Sequence, residues 1–122
     1  MKKVIIVDDS ATMRQQVRQA LTLGGFDVVE AVDGQDGLEK IQADSSIKVV
    51  VLDVNMPRMN GIELVEALKG AGKIGAGLNV VMLTTEGHPD LIQRAKGAGA
   101  KGWIVKPFQP EMLLAAVAKL AA

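Results

Sequence analysis

The amino-acid sequence predicts an α/β fold built on a doubly wound sheet of five parallel strands. Five short runs rich in β-branched residues recur along the chain, and an amphipathic segment follows each run. Four of the runs are apolar without alternation, which is typical of strands that are covered on both faces. Five βα units in series favour a parallel sheet with right-handed crossovers.

The first, third, fourth and fifth apolar runs are expected to be covered on both faces of the sheet. The second run is flanked by Asp27 and Glu30, which predicts a strand at the sheet edge. The predicted strands cover residues 4–7, 28–29, 49–52, 80–83 and 103–105.

Helical periodicity connects these strands. Apolar residues recur at spacings of three and four between Met13 and Leu21, after the N-cap candidate Ser10 and before a stop at Gly24. Four further helices are predicted over residues 35–43, 61–68, 89–98 and 111–120.

Composition excludes several classes of function. The 122 residues predict one domain over residues 1–122, and 14 basic against 14 acidic residues provide no general attraction to nucleic acid or anionic membranes. The absence of cysteine excludes a disulfide framework, a thiolate metal site and a cysteine nucleophile. No apolar run reaches the ~18 residues of a membrane span, and no signal sequence is present, so we expect a soluble, cytoplasmic protein.

Polar residues follow four of the predicted strands. Because ligands of open α/β sheets bind beyond the carboxyl ends of the strands, these residues form the candidate site. They comprise three carboxylates, a hydroxyl and an ammonium group, contributed by Asp8, Asp9, Asp53, Thr84 and Lys106.

The three carboxylates together indicate a metal site. Each polar residue alone has an ordinary explanation, since Asp9 could cap a helix and Thr84 could lie in a turn. Three carboxylates close together repel one another, however, and Lys106 offsets only one of the three charges. Mg²⁺ fits best, because it binds through one or two carboxylates and keeps room for a phosphoryl oxygen.

The chemistry that follows from such a site is phosphoryl transfer. Asp53, at the end of a central strand, is the candidate nucleophile and would form an aspartyl phosphate. Asp8 and Asp9 would hold the metal, while Lys106 and Thr84 would contact the phosphoryl oxygens.

Four motifs follow one another along the chain: VDDS at 7–10, LDVNMP at 52–57 with Gly61, LTTE at 83–86, and AGAKG at 98–102 leading to KPF at 106–108. Together they resemble the receiver domain of bacterial two-component response regulators. The resemblance covers essentially the whole chain. It implies a flavodoxin-like (βα)5 fold with strand order 2-1-3-4-5.

The resemblance also implies residue roles. Asp53 is the phosphoacceptor, and Asp8 and Asp9 are the acidic Mg²⁺ pair, with Asn55 adding a main-chain carbonyl to the metal. Lys106 and Thr84 complete the catalytic set with Asp53.

Two pairs of residues are implied to control the signal. Thr84 is the switch hydroxyl, and Trp103 occupies the switch position where Tyr or Phe is common. Asn55 and Glu86 border the path of the attacking water and are expected to set the lifetime of the aspartyl phosphate.

The segments 8–14 (DDSATMR) and 102–108 (GWIVKPF) resemble single-domain chemotaxis regulators. This implies a monomeric switch that receives its phosphoryl group from a sensor histidine kinase and catalyses its own phosphorylation and dephosphorylation, but is not a turnover enzyme. Since the chain ends at Ala122, we expect output through a separate protein, such as a flagellar motor switch or a phosphatase. That protein would bind the surface of the fourth helix, fifth strand and fifth helix.

Alternative functions remain open. A metal-dependent phosphatase with an aspartate nucleophile usually has a second aspartate where this chain has Asn55, and it needs a cap domain for which there is no room. A phosphate sink or an unphosphorylated scaffold would have the same fold. An FMN carrier is disfavoured because Asp8 and Asp9 would repel the phosphate.

Overall fold

A computed structural model of the protein describes residues 2–53, 61–73, 77–84, 89–105 and 108–121, except the side chains of Thr84, Pro89 and Leu91. None of the helices in these ranges is both long and apolar enough to cross a membrane. Within the same ranges, strands and helices alternate in the order β1 (Lys3–Val7), α1 (Ala11–Leu23), β2 (Asp27–Ala31), α2 (Gly34–Ala43), β3 (Ile47–Asp53), α3 (Gly61–Gly70), β4 (Asn79–Thr84), α4 (Pro89–Gly97), β5 (Gly102–Val105) and α5 (Pro110–Ala121).

The strands form one parallel sheet in the order β2-β1-β3-β4-β5, which confirms the predicted fold class and strand order. β1 pairs with β2 on one side and with β3 on the other. Val7, the last residue of β1, lies opposite Ala31 in β2 and Leu52 in β3. The carboxyl ends of these three strands therefore lie side by side.

Helices cover both faces of the sheet, so the strands alternate between two apolar cores. In β1, Ile5 and Val7 join the core beneath α2, α3 and α4. Their neighbours Val4 and Ile6 join the core beneath α1 and α5. All four side chains are buried, which explains why this strand is apolar throughout.

The prediction for one of the two edge strands is confirmed, and the prediction for the other is wrong. β2 lies at an edge as predicted, although it extends beyond the predicted pair to Asp27–Ala31. The prediction that β5 is covered on both faces was wrong, because β5 forms the other edge and Val105 is 51% exposed. An apolar run reveals a strand but not its place in the sheet, and a strand with only one neighbour is covered less completely.

Both ends of α1 are defined by residues that the sequence predicts. The Ser10 hydroxyl accepts a hydrogen bond of 3.2 Å from the Met13 N–H, which confirms the predicted N-cap. The helix ends at Leu23, and Gly25 has a φ of +86°, a left-handed conformation that glycine adopts without strain. Ser10 directly follows Asp8 and Asp9, so the capping hydrogen bond fixes the chain immediately after these two site residues.

Candidate functional site

Three carboxylates meet at the carboxyl edge of the sheet. One oxygen from each of Asp8, Asp9 and Asp53 lies within 4.8 Å of the other two. Asp8 follows β1 and Asp53 ends β3, and these strands are parallel neighbours in the register that pairs Val7 with Leu52. The predicted convergence of the three carboxylates is therefore confirmed.

The cluster has a buried base and an exposed rim. The residues Asp8 and Asp53 are only 2% and 8% exposed, whereas Asp9 is exposed. Two negative charges removed from water in this way are costly unless positive charge and hydrogen bonds compensate them. A cation entering from solvent past Asp9 would supply that compensation.

Both the main chain and the carboxylate of Asp8 take part in hydrogen bonds. Its N–H donates to the Ala31 carbonyl at 3.1 Å, and its Oδ1 accepts from the Ser10 N–H at 2.9 Å. Its main-chain carbonyl accepts a 2.7 Å hydrogen bond from Nη1 of Arg14. The residue is thus oriented by β2 and by α1 as well as by its own strand.

The spacing of the carboxylates fits Mg²⁺. Mg²⁺ binds in proteins through carboxylate oxygens and keeps several waters. The oxygens of Asp8, Asp9 and Asp53 lie within 4.8 Å of one another, so these residues could hold one such ion. Hard oxygen ligands of this kind suit Mg²⁺ rather than a soft transition metal.

A further buried carboxylate, which belongs to none of the sequence motifs, follows β2. Asp33 is 7% exposed and is the N-cap of α2, where its Oδ1 accepts a 2.8 Å hydrogen bond from the Asp36 N–H. Its position just before a helical segment was the signal that could have identified it. Asp33 is not part of the acidic cluster, and its capping hydrogen bond offsets part of the cost of burying its carboxylate.

The remaining predicted site residues are described only in part. Thr84 ends β4, whose neighbour β3 places Asp53 opposite Leu83, so the main chain of Thr84 reaches the same edge as the cluster. The Thr84 side chain lies outside the described residues. The same holds for the whole of Asn55, Glu86 and Lys106, whose roles stay predictions.

Trp103 lies in β5, opposite Met82 of β4. Thr84 and Trp103 are therefore on adjacent strands, as predicted. The indole is half-buried and packs against the core beneath α2, α3 and α4. Its Nε1 is buried and has no hydrogen-bond partner within the described part of the chain.

A sheet in the order 2-1-3-4-5 with clustered carboxylates at its carboxyl edge is the arrangement expected of a receiver domain. The sequence profile of the response regulator receiver domain matches residues 4–118. The chain belongs to this family. Chemotaxis protein CheY1 of Helicobacter pylori is 40% identical to it over 112 residues, which cover 91% of this chain and 90% of that protein.

Solved structures agree with this assignment. Chemotaxis protein CheY4 of Vibrio cholerae superimposes with a TM-score of 0.89 at 42% identity, over 98% of both chains. A chain from the complex of CheX and CheY with BeF3 and Mg²⁺ from Borrelia burgdorferi gives a TM-score of 0.89 at 30% identity, covering 98% of this chain and 89% of that chain. The protein is therefore a homologue of the chemotaxis response regulators.

Proposed function

We propose that this chain is a phosphorylation-controlled switch in which Asp53 accepts a phosphoryl group from a sensor histidine kinase in a Mg²⁺-dependent reaction. The observation that carries the proposal is the convergence of Asp8, Asp9 and Asp53 within 4.8 Å. Such a cluster offers both the ligands for a cation and a carboxylate nucleophile. These are two of the parts that phosphoryl transfer to a protein side chain requires.

Asp53 is the proposed phosphoacceptor. It ends β3, a central strand, and is 8% exposed at the carboxyl edge of the sheet. One carboxylate oxygen attacks the phosphorus of a phosphohistidine, the P–N bond breaks, and the imidazole leaves with the electron pair. Water later attacks the phosphorus of the acyl phosphate, the P–O bond to Asp53 breaks, and inorganic phosphate leaves, which restores the carboxylate. The chain thus catalyses reactions of its own side chain and turns over no metabolite.

The proposed Mg²⁺ ligands are carboxylate oxygens of Asp8, Asp9 and Asp53 and the main-chain carbonyl of Asn55. When bound, the ion neutralises part of the charge on the phosphoryl oxygens. The hydrogen bond from the Ser10 N–H to Asp8 supports this assignment, because it orients the carboxylate at the position where a ligand is needed.

Family membership supports the roles of the remaining site residues, because each occupies the matching motif position. Lys106 and Thr84 contact the phosphoryl oxygens. Asn55 and Glu86, both polar, border the path of the attacking water and orient it. This gives a short-lived aspartyl phosphate, which suits rapid behavioural signalling better than gene regulation.

The signal leaves the site through Thr84 and Trp103. A threonine hydroxyl drawn toward the phosphoryl group vacates space near the indole and changes the surface formed by α4, β5 and α5. Val105 and Met112, which are 51% and 59% exposed, supply apolar contacts on that surface. The partner is a downstream protein in the cytoplasm, such as a flagellar motor switch or a phosphatase, and the switch acts as a monomer.

Incubation with acetyl phosphate and MgCl2 tests the proposal, with intact-mass measurement as the readout. We expect an alkali-labile gain of one phosphoryl group, abolished by EDTA and by Asp53→Asn. Asp33→Asn is the matched control, because it changes another buried carboxylate while asparagine still caps α2. The proposal would be contradicted if the unmodified protein gained no phosphoryl group. It would also be contradicted if Asp33→Asn abolished the gain while Asp53→Asn did not.

A further inference from the structure

Arg14 connects three elements of the structure next to the acidic cluster. It lies in the first turn of α1, and its Nη1 donates a 2.7 Å hydrogen bond to the main-chain carbonyl of Asp8. Its Nε donates at 3.2 Å to Oε1 of Glu30 in β2. The Arg14 side chain is 15% exposed, and both contacts are partly buried.

The carbonyl that Arg14 contacts belongs to the peptide unit between Asp8 and Asp9. This unit is planar, so a hydrogen bond to its oxygen restrains the orientation of the bond that joins the two acidic residues. The Ser10 N–H then holds the Asp8 carboxylate itself. Arg14 therefore acts on the backbone from which two of the three clustered carboxylates extend.

Glu30 holds the Arg14 guanidinium in place. It lies opposite Ile6 in the sheet, two residues before Asp8, so it is anchored beside the same strand. The guanidinium is a planar group with donors in fixed directions, and it can bond to Glu30 and to the Asp8 carbonyl at once. A lysine ammonium would keep the charge but not this pair of directed bonds.

We propose that Arg14 is a positioning residue that orients the Asp8–Asp9 peptide and thereby strengthens Mg²⁺ binding. The inference rests on the proposed function, because it assigns Arg14 to the same metal site. Arg14 touches neither the ion nor the phosphoryl group in this proposal. It acts through the main chain of Asp8.

Arg18 provides a matched control on the same helix. It lies one turn beyond Arg14, is 50% exposed, and its Nη1 is 2.6 Å from Oε2 of the same Glu30. Substitution of either arginine by methionine removes one positive charge and one ion pair with Glu30. Only the substitution of Arg14 removes the hydrogen bond to the Asp8 carbonyl.

The direction of the effect separates positioning from electrostatics. Loss of a positive charge near an acidic cluster, taken alone, would tighten the binding of a cation. Loss of a residue that orients the ligands weakens it, typically by 10–100-fold for groups behind the first ligands. If Arg14→Met binds Mg²⁺ more weakly, loss of the positive charge therefore cannot be the cause, because that loss would make binding tighter.

The experiment is a titration of the full, unphosphorylated chain with MgCl2, followed by the NMR shift of the Ser10 amide, which gives the Mg²⁺ Kd. We expect Arg14→Met to raise the Kd about tenfold and Arg18→Met to change it less than twofold. If Arg14→Met does not fold, Arg14→Lys, which keeps the charge, takes its place, and its Mg²⁺ Kd is compared in the same way with that of Arg18→Met.

Two results would overturn different conclusions. If the unmodified chain binds Mg²⁺ and the Arg14 variant binds it as well as the Arg18 variant does, the positioning role is wrong and the proposed function stands. If the unmodified chain does not bind Mg²⁺, the proposed function itself is overturned, and the inference with it.

Discussion

Gly37 of α2 packs directly on Val7, the last residue of β1. A Cβ at position 37 would lie 2.9 Å from Cγ2 and 3.1 Å from Cγ1 of Val7. Both figures are shorter than normal van der Waals contacts, so only glycine allows α2 to approach the sheet this closely. Val7 directly precedes Asp8, so this contact restrains the strand at the residue before the acidic cluster.

Gly37→Ala is expected to lower the free energy of unfolding by ~1–3 kcal/mol, because the added methyl overpacks the contact with Val7. Urea denaturation measures the change. Gly97→Ala is the control, since a Cβ at that position meets nothing within 4 Å. We expect Gly97→Ala to be neutral or slightly stabilising, and equal losses from both variants would show that crowding against Val7 is not the cause.

Asp53→Asn is expected to raise the stability of the metal-free protein while abolishing phosphorylation. The substitution removes one charge from a cluster of three carboxylates within 4.8 Å of one another, and so relieves repulsion. Urea unfolding in EDTA gives the change, with the exposed Asp90→Asn as a control for loss of a negative charge elsewhere. A decrease of more than ~1 kcal/mol in Asp53→Asn would contradict the repulsion that we infer.

Mg²⁺ is expected to stabilise the folded chain, because the three carboxylates come together only in the native state. At ten times its Kd the ion adds about 1.4 kcal/mol to the free energy of unfolding. Urea unfolding with MgCl2, compared with NaCl at the same ionic strength, measures this gain. If NaCl stabilises the protein as much as MgCl2, the gain comes from screening and not from a bound ion.

Trp103 provides an internal probe of switching, because it is the only tryptophan in the chain. Beryllofluoride with MgCl2 is expected to change both its emission and its quenching by solutes. The half-buried ring packs against the core and lies opposite Met82 of β4, so a rearrangement of β4 and β5 changes its environment. We expect Thr84→Ala to abolish the change while Asp53 remains phosphorylatable. A full response in Thr84→Ala would mean that the hydroxyl does not link the site to the indole.

The contact between Lys3 and Asp44 predicts a stability change in acid. Lys3 Nζ lies 2.7 Å from Asp44 Oδ2, and this hydrogen bond, aided by the Ser46 hydroxyl and N–H, lowers the pKa of Asp44 from 3.8 to about 2. A lowered pKa in the folded state means that the stabilisation is present above about pH 4 and is lost as the pH falls toward 2.

Asp44→Asn should therefore be less stable than the unmodified protein at about pH 5, and the difference should disappear near pH 2. Urea midpoints across this range measure it. Ser46→Ala should move the loss of stabilisation to higher pH, because it removes the hydroxyl that donates to Asp44 Oδ1 at 2.5 Å. A difference between Asp44→Asn and the unmodified protein that stays constant with pH would contradict the role assigned to the carboxylate.

The sequence alone determined the fold class and the acidic cluster. Apolar runs alternating with amphipathic segments require a parallel sheet, and the carboxyl ends of parallel strands lie at one edge. Asp8, Asp9 and Asp53 were therefore expected at the same edge, and they meet there because β1 and β3 are neighbours in the sheet. The family motifs then implied the strand order, which the structure confirms.

Only the tertiary structure decided the contacts that depend on register and side-chain direction. The bond from Arg14 to the Asp8 carbonyl, its anchor on Glu30, and the closeness of Gly37 to Val7 join elements whose relative positions no local pattern specifies. The exposure of Val105 is of the same kind, since it follows from the edge position of β5. Periodicity reports which face of an element is apolar, whereas the partner that each side chain meets is set by how the elements pack together.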